Sequence, residues 1–378
     1  MTFEYNRATT GAWLPGDPPG HRKFATVHED RPCALELGDR LEQITIAYET
    51  WGELDSSHAN ALLVMHALTG DAHAHGYEGA GHAMAGWWDP IIGPGAPIDT
   101  DEFFVVCLNV LGGCQGTTGP SSLAPDGRPF GSRFPWITPR DQVAVEAALA
   151  DNLGIEKWAA VIGGSMGAMR VLEWAVGYPD RVGLAVIIAV GAYATAEQIG
   201  LSSSQNRVIL ADPHFNEGDY YDHEAGPIEG LRIARELGQI SYRSELEFHR
   251  RFHRKPQGDE DPMHGGRYAI ESYLQHHGEK LISRFDANTY LVLSTALNHH
   301  DVGRNRGGMA DALARISADV VIAGISTDRL YPLRLQYELR EMIPQARGVE
   351  IIASLDGHDA FLTETEAVGK LIRRALLG

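Results

Sequence analysis

The chain has 378 residues, 44% hydrophobic and 22% charged, with 32 Lys and Arg against 50 Asp and Glu and a formal charge of −18. This is an ordinary globular composition, which excludes a disordered tail or a fibrous repeat. The acidic balance, with no basic run, argues against nucleic acid or an anionic membrane as partner.

Three cysteines, Cys33, Cys107 and Cys114, are too few for a disulfide framework and lack metal-ligand spacing, which points to a reducing, cytoplasmic compartment. Met1 to Leu14 carries Glu4 and polar residues where a secretory signal needs an apolar stretch, so no export is expected. Gly and Pro dominate Gly11 to Gly20, which predicts an extended leader, residues 1–34, outside the packed core. Gln43 to Tyr48 alternates Ile44, Ile46 and Tyr48 at the period of a half-buried strand.

Ala61 to Met65, Phe103 to Leu108, Trp158 to Ile162 and Leu184 to Val190 are short apolar runs of the kind buried on both faces of a parallel sheet. Helical patterns over Asp141 to Leu153 and Ala168 to Tyr178 separate them, each ending on a Gly or Gly-Tyr-Pro stop. From Tyr193 to Met309 only amphipathic stretches occur: Ile228 to Leu237, Arg267 to Lys280 and Ala287 to Leu297. The alternation then resumes with strands Val320 to Ala323 and Val349 to Ala353, a helix Arg334 to Met342 and a final helix Ala360 to Leu377. Strands alternating with helices predict an α/β fold with a mostly parallel sheet. The core spans residues 35–192 and 310–378, with a helical lid, 193–309, inserted between its halves. The longest apolar stretch, Val182 to Ala194, is about 13 residues, too short to span a bilayer.

Gly163-Gly164-Ser165-Met166-Gly167 fits G-x-S-x-G and sits between a strand and a helix. There a sharp turn exposes the serine oxygen above the sheet, and small residues two positions either side let the turn close. The bare pattern also fits a tight connection that merely contains serine. A serine hydroxyl needs a base and a group that orients the base. Asp328 follows the strand Val320 to Ala323, and His358 follows Val349 to Ala353, giving the order Ser, acid, His at the carboxyl ends of parallel strands. The backbone N–H of Met166 and that of Leu68, in the early loop His66-Ala67-Leu68-Thr69-Gly70, are the expected oxyanion donors. His73, His75 and His82 and the His299-His300-Asp301 run lack firm metal spacing, so no metal is expected. The Gly112 to Gly119 segment has no following Lys-Ser/Thr and is not a P-loop. Cys114 within it reads as a structural thiol.

Taken in order, His66-Ala67-Leu68-Thr69-Gly70-Asp71, Gly86-Trp87-Trp88, Asn109 to Cys114, Thr118 to Ser122, Gly163 to Gly167, Asp328 to Pro332 and Gly357 to Leu362 resemble the motifs of homoserine O-acetyltransferases. These are α/β-hydrolase-fold enzymes of methionine biosynthesis, and the resemblance spans roughly Thr45 to Leu371. Family members commonly carry a second Gly after the elbow, where this chain has Ala168. The resemblance implies Ser165 as nucleophile, His358 as base and Asp328 as its orienting acid. It implies that homoserine is held by Arg235 on a lid helix and by Asp359, with Tyr242 assisting, since a guanidinium suits the substrate carboxylate and a carboxylate its ammonium. The activity implied is acetyl transfer from acetyl-CoA, a co-substrate, with no resident cofactor, in a cytoplasmic homodimer. Succinyl in place of acetyl, serine in place of homoserine, and a plain carboxylesterase are the alternatives. A hydrolase-like scaffold without activity would lack part of the triad.

Overall fold

The structure, a computed structural model, describes residues 3–378. Eight strands form one sheet: β1 (Lys23–Val27), β2 (Ile44–Trp51), β3 (Ala61–Met65), β4 (Phe104–Leu108), β5 (Trp158–Gly164), β6 (Val182–Ile188), β7 (Asp319–Ile325) and β8 (Ala346–Ile352). Their spatial order is β1-β2-β4-β3-β5-β6-β7-β8. The first two strands are antiparallel to their neighbours and the other six are parallel. The apolar runs read as doubly buried strands occupy these central positions; β3 is buried along its whole length.

Parallel neighbours require crossovers, and helices supply them on both faces. α1 (Pro139–Asn152) starts on a capping box between Thr138 and Asp141, and α2 (Met166–Gly177) follows β5 directly. With a later helix, they cover one face through Val143, Met169, Trp174 and Leu335. The other face is closed by Trp88, Ile91, Phe361 and Ile372.

Between β6 and β7 lie α3 (Ala196–Leu210), α4 (Ile228–Tyr242), α5 (Glu245–Arg251), α6 (Ala269–Ile282) and α7 (Ala287–Asn298). The two ends of this excursion are tied together, Ala194 N–H to the His300 carbonyl and Val302 N–H to that of Ala192. α3 is not among the sequence-predicted helices because few of its residues are buried, so the apolar stripe that marks a helix is missing. The chain closes with α8 (Met309–Leu313), α9 (Arg334–Met342), α10 (Ala360–Thr363) and α11 (Thr365–Leu377); the predicted final helix is broken at Glu364.

The expectation that the leader lies outside the packed core is corrected. Ala12 and Leu14 are buried in the cluster beneath the lid with Tyr220, Tyr221, Phe285 and Tyr290, and Lys23–Val27 is the edge strand β1. Gly and Pro set the path of the segment but not its exposure. Its backbone is paired outward, Gly11 N–H to the Phe285 carbonyl and Trp13 N–H to that of Cys114.

Candidate active site

The register of the parallel strands brings their carboxyl ends to one edge: Met65 lies beside Gly163, Gly164 beside Ile188, and Ile325 beside Ile352. The loops leaving β3, β5, β7 and β8 therefore open onto the same cleft, the position open α/β sheets reserve for ligands.

Ser165 occupies the turn between β5 and α2 at φ 56°, ψ −123°, a conformation costing on the order of 1–3 kcal/mol for a non-glycine residue. Its neighbours make the turn possible. A Cβ on Gly167 would stand 2.1 Å from the Met65 carbonyl oxygen, and one on Gly163 would stand 2.6 Å from the Gly167 carbonyl carbon. Ser165 N–H donates to the Ile188 carbonyl at 3.0 Å, which locks the turn to β6.

His358 lies in a single helical turn, Gly357–Asp359, after β8. Gly357 is required there twice over: its φ is +65°, and a Cβ would meet the Tyr242 carbonyl oxygen at 2.5 Å. The loops after β7 and β8 are stitched together, with Thr327 Oγ1 donating to the Ser354 carbonyl and accepting the Gly357 N–H. Thus Asp328 and His358 are carried on one joined unit. Asp328 Oδ2 lies 2.7 Å from His358 Nδ1, and His358 Nε2 lies 2.8 Å from Ser165 Oγ. Because an ionised carboxylate only accepts, Nδ1 carries the proton and Nε2 is the acceptor facing the hydroxyl. Burial disfavours the imidazolium, but the Asp328 carboxylate outweighs it and holds the His358 pKa above the usual histidine value. The ring of Tyr331 stacks on His358 with centroids 5.0 Å apart.

Met166 is the first residue of α2, so its N–H has no intrahelical acceptor. Across the cleft, the Leu68 N–H also has no backbone partner among the described residues. Leu68, Ser165, Arg235, Tyr242, His358 and Asp359 all line one cleft of about 100 Å³. The structure thus brings all the sequence-predicted site residues into one neighbourhood. Among the described residues Arg235 pairs with no carboxylate; its guanidinium carbon lies 5.4 Å from the Tyr242 ring centroid. Burial pushes the Tyr242 phenol up, which keeps it a proton donor.

Asp359 has two supports that the sequence did not reveal. Gln239 Nε2 donates to its Oδ2 at 3.2 Å, and Arg243 Nε lies 3.2 Å from the same oxygen. Both come from the carboxyl end of α4, where nothing in the local pattern separates them from surface charges. A second network also went unread, although the sequence carried a signal of it. Arg170 and Glu173 are the only charges on the otherwise apolar α2, a spacing that signals buried pairing. Arg170 Nη1 donates to Glu146 at 2.6 Å, and its Nη2 donates to the His66 carbonyl at 2.5 Å.

The histidines outside the cleft have other partners. His73 Nδ1 pairs with Glu49 at 2.9 Å, and His82 Nε2 accepts the His21 N–H at 3.0 Å. Glu49, His73 and His82 place one ligand atom each within 4.8 Å of one another. The two rings are nearly parallel with centroids 3.8 Å apart, so their in-plane lone pairs do not converge on a tetrahedral ion. His75 pairs with Asp89, and His300 Nε2 bonds the Gly191 carbonyl. Cys114 is buried and its thiol pKa is raised by burial, the opposite of an activated thiol.

A sequence model of the alpha/beta hydrolase fold matches residues 60–365. The chain is 55% identical to the homoserine O-acetyltransferase of Thermobifida fusca, over 97% of each chain. Among solved structures, the homoserine O-acetyltransferase of Bacillus anthracis aligns with a TM-score of 0.85 at 25% identity, covering 94% of this chain and 97% of that one. Esterase E22 aligns with a TM-score of 0.84 at 27% identity, covering 94% and 99%.

Proposed function

The chain belongs to the homoserine O-acetyltransferase family of the alpha/beta hydrolase fold, and from that premise we propose that it transfers the acetyl group of acetyl-CoA to the hydroxyl of L-homoserine. The products are O-acetyl-L-homoserine and CoA, and the step belongs to methionine biosynthesis. The observation that carries this reading is the meeting, in one cleft, of the Ser165–His358–Asp328 chain with an unpaired guanidinium, Arg235, and a carboxylate, Asp359. Homoserine presents an ammonium and a carboxylate on one carbon and a hydroxyl two carbons beyond it. Arg235 receives the carboxylate as a bidentate pair, Asp359 receives the ammonium, and the Tyr242 phenol adds a donor.

In the first half-reaction Ser165 Oγ attacks the thioester carbonyl and its proton passes to His358 Nε2. The amides of Leu68 and Met166 hold the oxyanion, each lowering the barrier by on the order of 3 kcal/mol. The C–S bond breaks, His358 returns the proton to sulfur, and CoA leaves as the thiol. In the second half-reaction the homoserine hydroxyl gives its proton to Nε2 and attacks the acetyl carbon. The bond to Ser165 Oγ breaks and the serine is reprotonated. No resident cofactor or metal takes part.

The likeness to an esterase raises a second reading, in which water replaces homoserine. A site with a cation and an anion set for the two ends of an amino acid favours transfer. The test is to offer acetyl-CoA and succinyl-CoA with homoserine and serine, follow thiol release, and identify the product by mass. Acetylated homoserine, with parallel double-reciprocal lines, is expected. Thioester loss that does not depend on the amino acid would overturn the reading in favour of hydrolysis, and a succinylated or serine product would reassign the substrates.

The same reading includes a cytoplasmic homodimer. Three free, buried cysteines suit a reducing compartment, and the exposed Leu237, Ile240 and Leu246 on α4 and α5 offer an apolar face. Sedimentation at twice the 41.3 kDa chain mass is expected.

A further inference from the structure

The early loop that carries Leu68 is held almost entirely through its carbonyl oxygens. Arg170 Nη2 donates to that of His66 at 2.5 Å. His66 Nε2 accepts the Val110 N–H at 3.0 Å, which leaves the proton on Nδ1, and Nδ1 donates to the Ala67 carbonyl at 2.7 Å. The Gly70 N–H closes on the same carbonyl at 2.9 Å. Since the Ala67 carbonyl and the Leu68 N–H share one rigid peptide plane, orienting the carbonyl aims the amide. These bonds hold the sheet side of the loop.

The far side is held from the lid. Arg284, between α6 and α7, donates from Nη1 to the Thr69 carbonyl at 2.7 Å, across 215 residues of sequence. Its guanidinium has no carboxylate partner among the described residues, and its Nε is buried without any partner. Its backbone is itself fixed, because Gln115 Nε2 donates to the Arg284 carbonyl at 2.7 Å and the leader's Gly11 donates to that of Phe285 at 3.1 Å. Burial of this cation is costly, and the charge of Asp71, which forms no ion pair with it, offsets that cost only in part. The cation is spent on one carbonyl, in the residue directly after the oxyanion donor.

We propose that Arg284 is a positioning residue that sets the Leu68 amide in the oxyanion hole, so that the geometry of the hole depends on the lid being seated. The inference rests on the acyl-serine reading of Ser165 but not on the identity of the acceptor. Arg284 touches no reacting atom. It acts through the Thr69 carbonyl, and withdrawing the lid would release that bond.

The test uses the full-length protein with p-nitrophenyl acetate as acyl donor and an alkylboronic acid as tetrahedral mimic, neither of which involves homoserine. Arg284→Met is expected to slow Ser165 acylation about tenfold to a hundredfold, less than outright loss of a donor. Boronate affinity should fall by the same factor, while KM for homoserine stays unchanged. Arg284→Lys, which keeps a donor for the Thr69 carbonyl, should recover most of the loss. Should Arg284→Met fail to fold, Arg284→Lys carries the test alone and should still fall measurably below wild type in acylation and boronate affinity together. Acylation and boronate affinity at wild-type levels in the folded variant would overturn the inference, as would a homoserine KM that rises in step with the lost acylation. If the wild-type protein does not acetylate homoserine, the function proposed above fails while this measurement stands.

Discussion

Asp328→Asn isolates the orienting acid while leaving the fold in place. Asp328 Oδ1 accepts the amides of Leu330 and Tyr331, both at 2.8 Å, and Oδ2 accepts His358 Nδ1 at 2.7 Å. In the asparagine variant those two turn amides select the carbonyl oxygen, because an NH2 group facing two N–H donors would be unpaired twice. The side-chain NH2 is therefore forced toward His358 Nδ1 and meets its proton. The imidazole escapes by moving its proton to Nε2, which then points a donor at Ser165 Oγ and can no longer accept. The loss expected is about 10⁴ in kcat/KM, or ~5.4 kcal/mol in the barrier. Acylation of the enzyme, followed by thiol release from acetyl-CoA in a rapid-mixing experiment, reads this directly, and thermal unfolding checks that the variant is folded. In the wild-type protein the acid limb of the rate profile should lie above pH 6.5, since Asp328 outweighs burial at His358. Without the carboxylate, burial is opposed only by the charge of Asp359, and the residual activity should show a limb at lower pH. A folded Asp328→Asn protein within tenfold of wild type at pH 8 would refute this account of the relay.

Other perturbations follow from the same geometry. Arg235→Ala removes the cation for the acceptor's carboxylate, a charge-assisted contact of about 2 kcal/mol or more. Steady-state kinetics should show KM for homoserine rising about 30-fold with acetyl-enzyme formation retained; an unchanged KM would remove Arg235 from the site. Gly167→Ala drives a methyl against the Met65 carbonyl, and the backbone shift should cost about 1–3 kcal/mol in stability and most of the acylation rate. Denaturant unfolding and the acyl-enzyme burst test this together. Stability should also fall on mild acidification. Burial, then Arg170, pushes His66 down to about 3, and burial pushes His300 down to about 4, so both stay neutral when folded and take up protons when unfolded. Below about pH 6.5 each removes about 1.4 kcal/mol per pH unit until its folded value is reached. His73 and His358, held above the ordinary value, change nothing below that pH. A melting temperature that stays flat from pH 6.5 to 5 would contradict the assignment of neutral, buried rings.

The strands that hold the site were legible because each is an apolar run between turn signals, and β3, β5, β6 and β7 fall within three residues of their expected bounds. Ser165 was legible because a strained turn needs small neighbours, and both glycines prove to touch backbone. α3 was missed because few of its residues are buried, and the leader was misread for a different reason. Local composition reports what a segment could do alone, while the leader's burial depends on surfaces contributed from far along the chain. Thr10 bonds Asp286, and Tyr5 bonds the Ser121 carbonyl.

By itself the sequence determined the order of elements, the elbow serine and the succession of nucleophile, acid and base, because these rest on hydrophobic period and on residue chemistry close along the chain. It also determined the acidic balance of −18. Only the tertiary structure decided which polar groups face each other: that Gln239 and Arg243 hold Asp359, that Arg235 has no carboxylate partner among the described residues, and that Arg284 reaches the loop beside Leu68. The physical reason is distance and dielectric. A hydrogen bond or ion pair gains its full strength only where burial removes water, and which side chains share a buried space is fixed by the packing of elements that the local pattern does not encode.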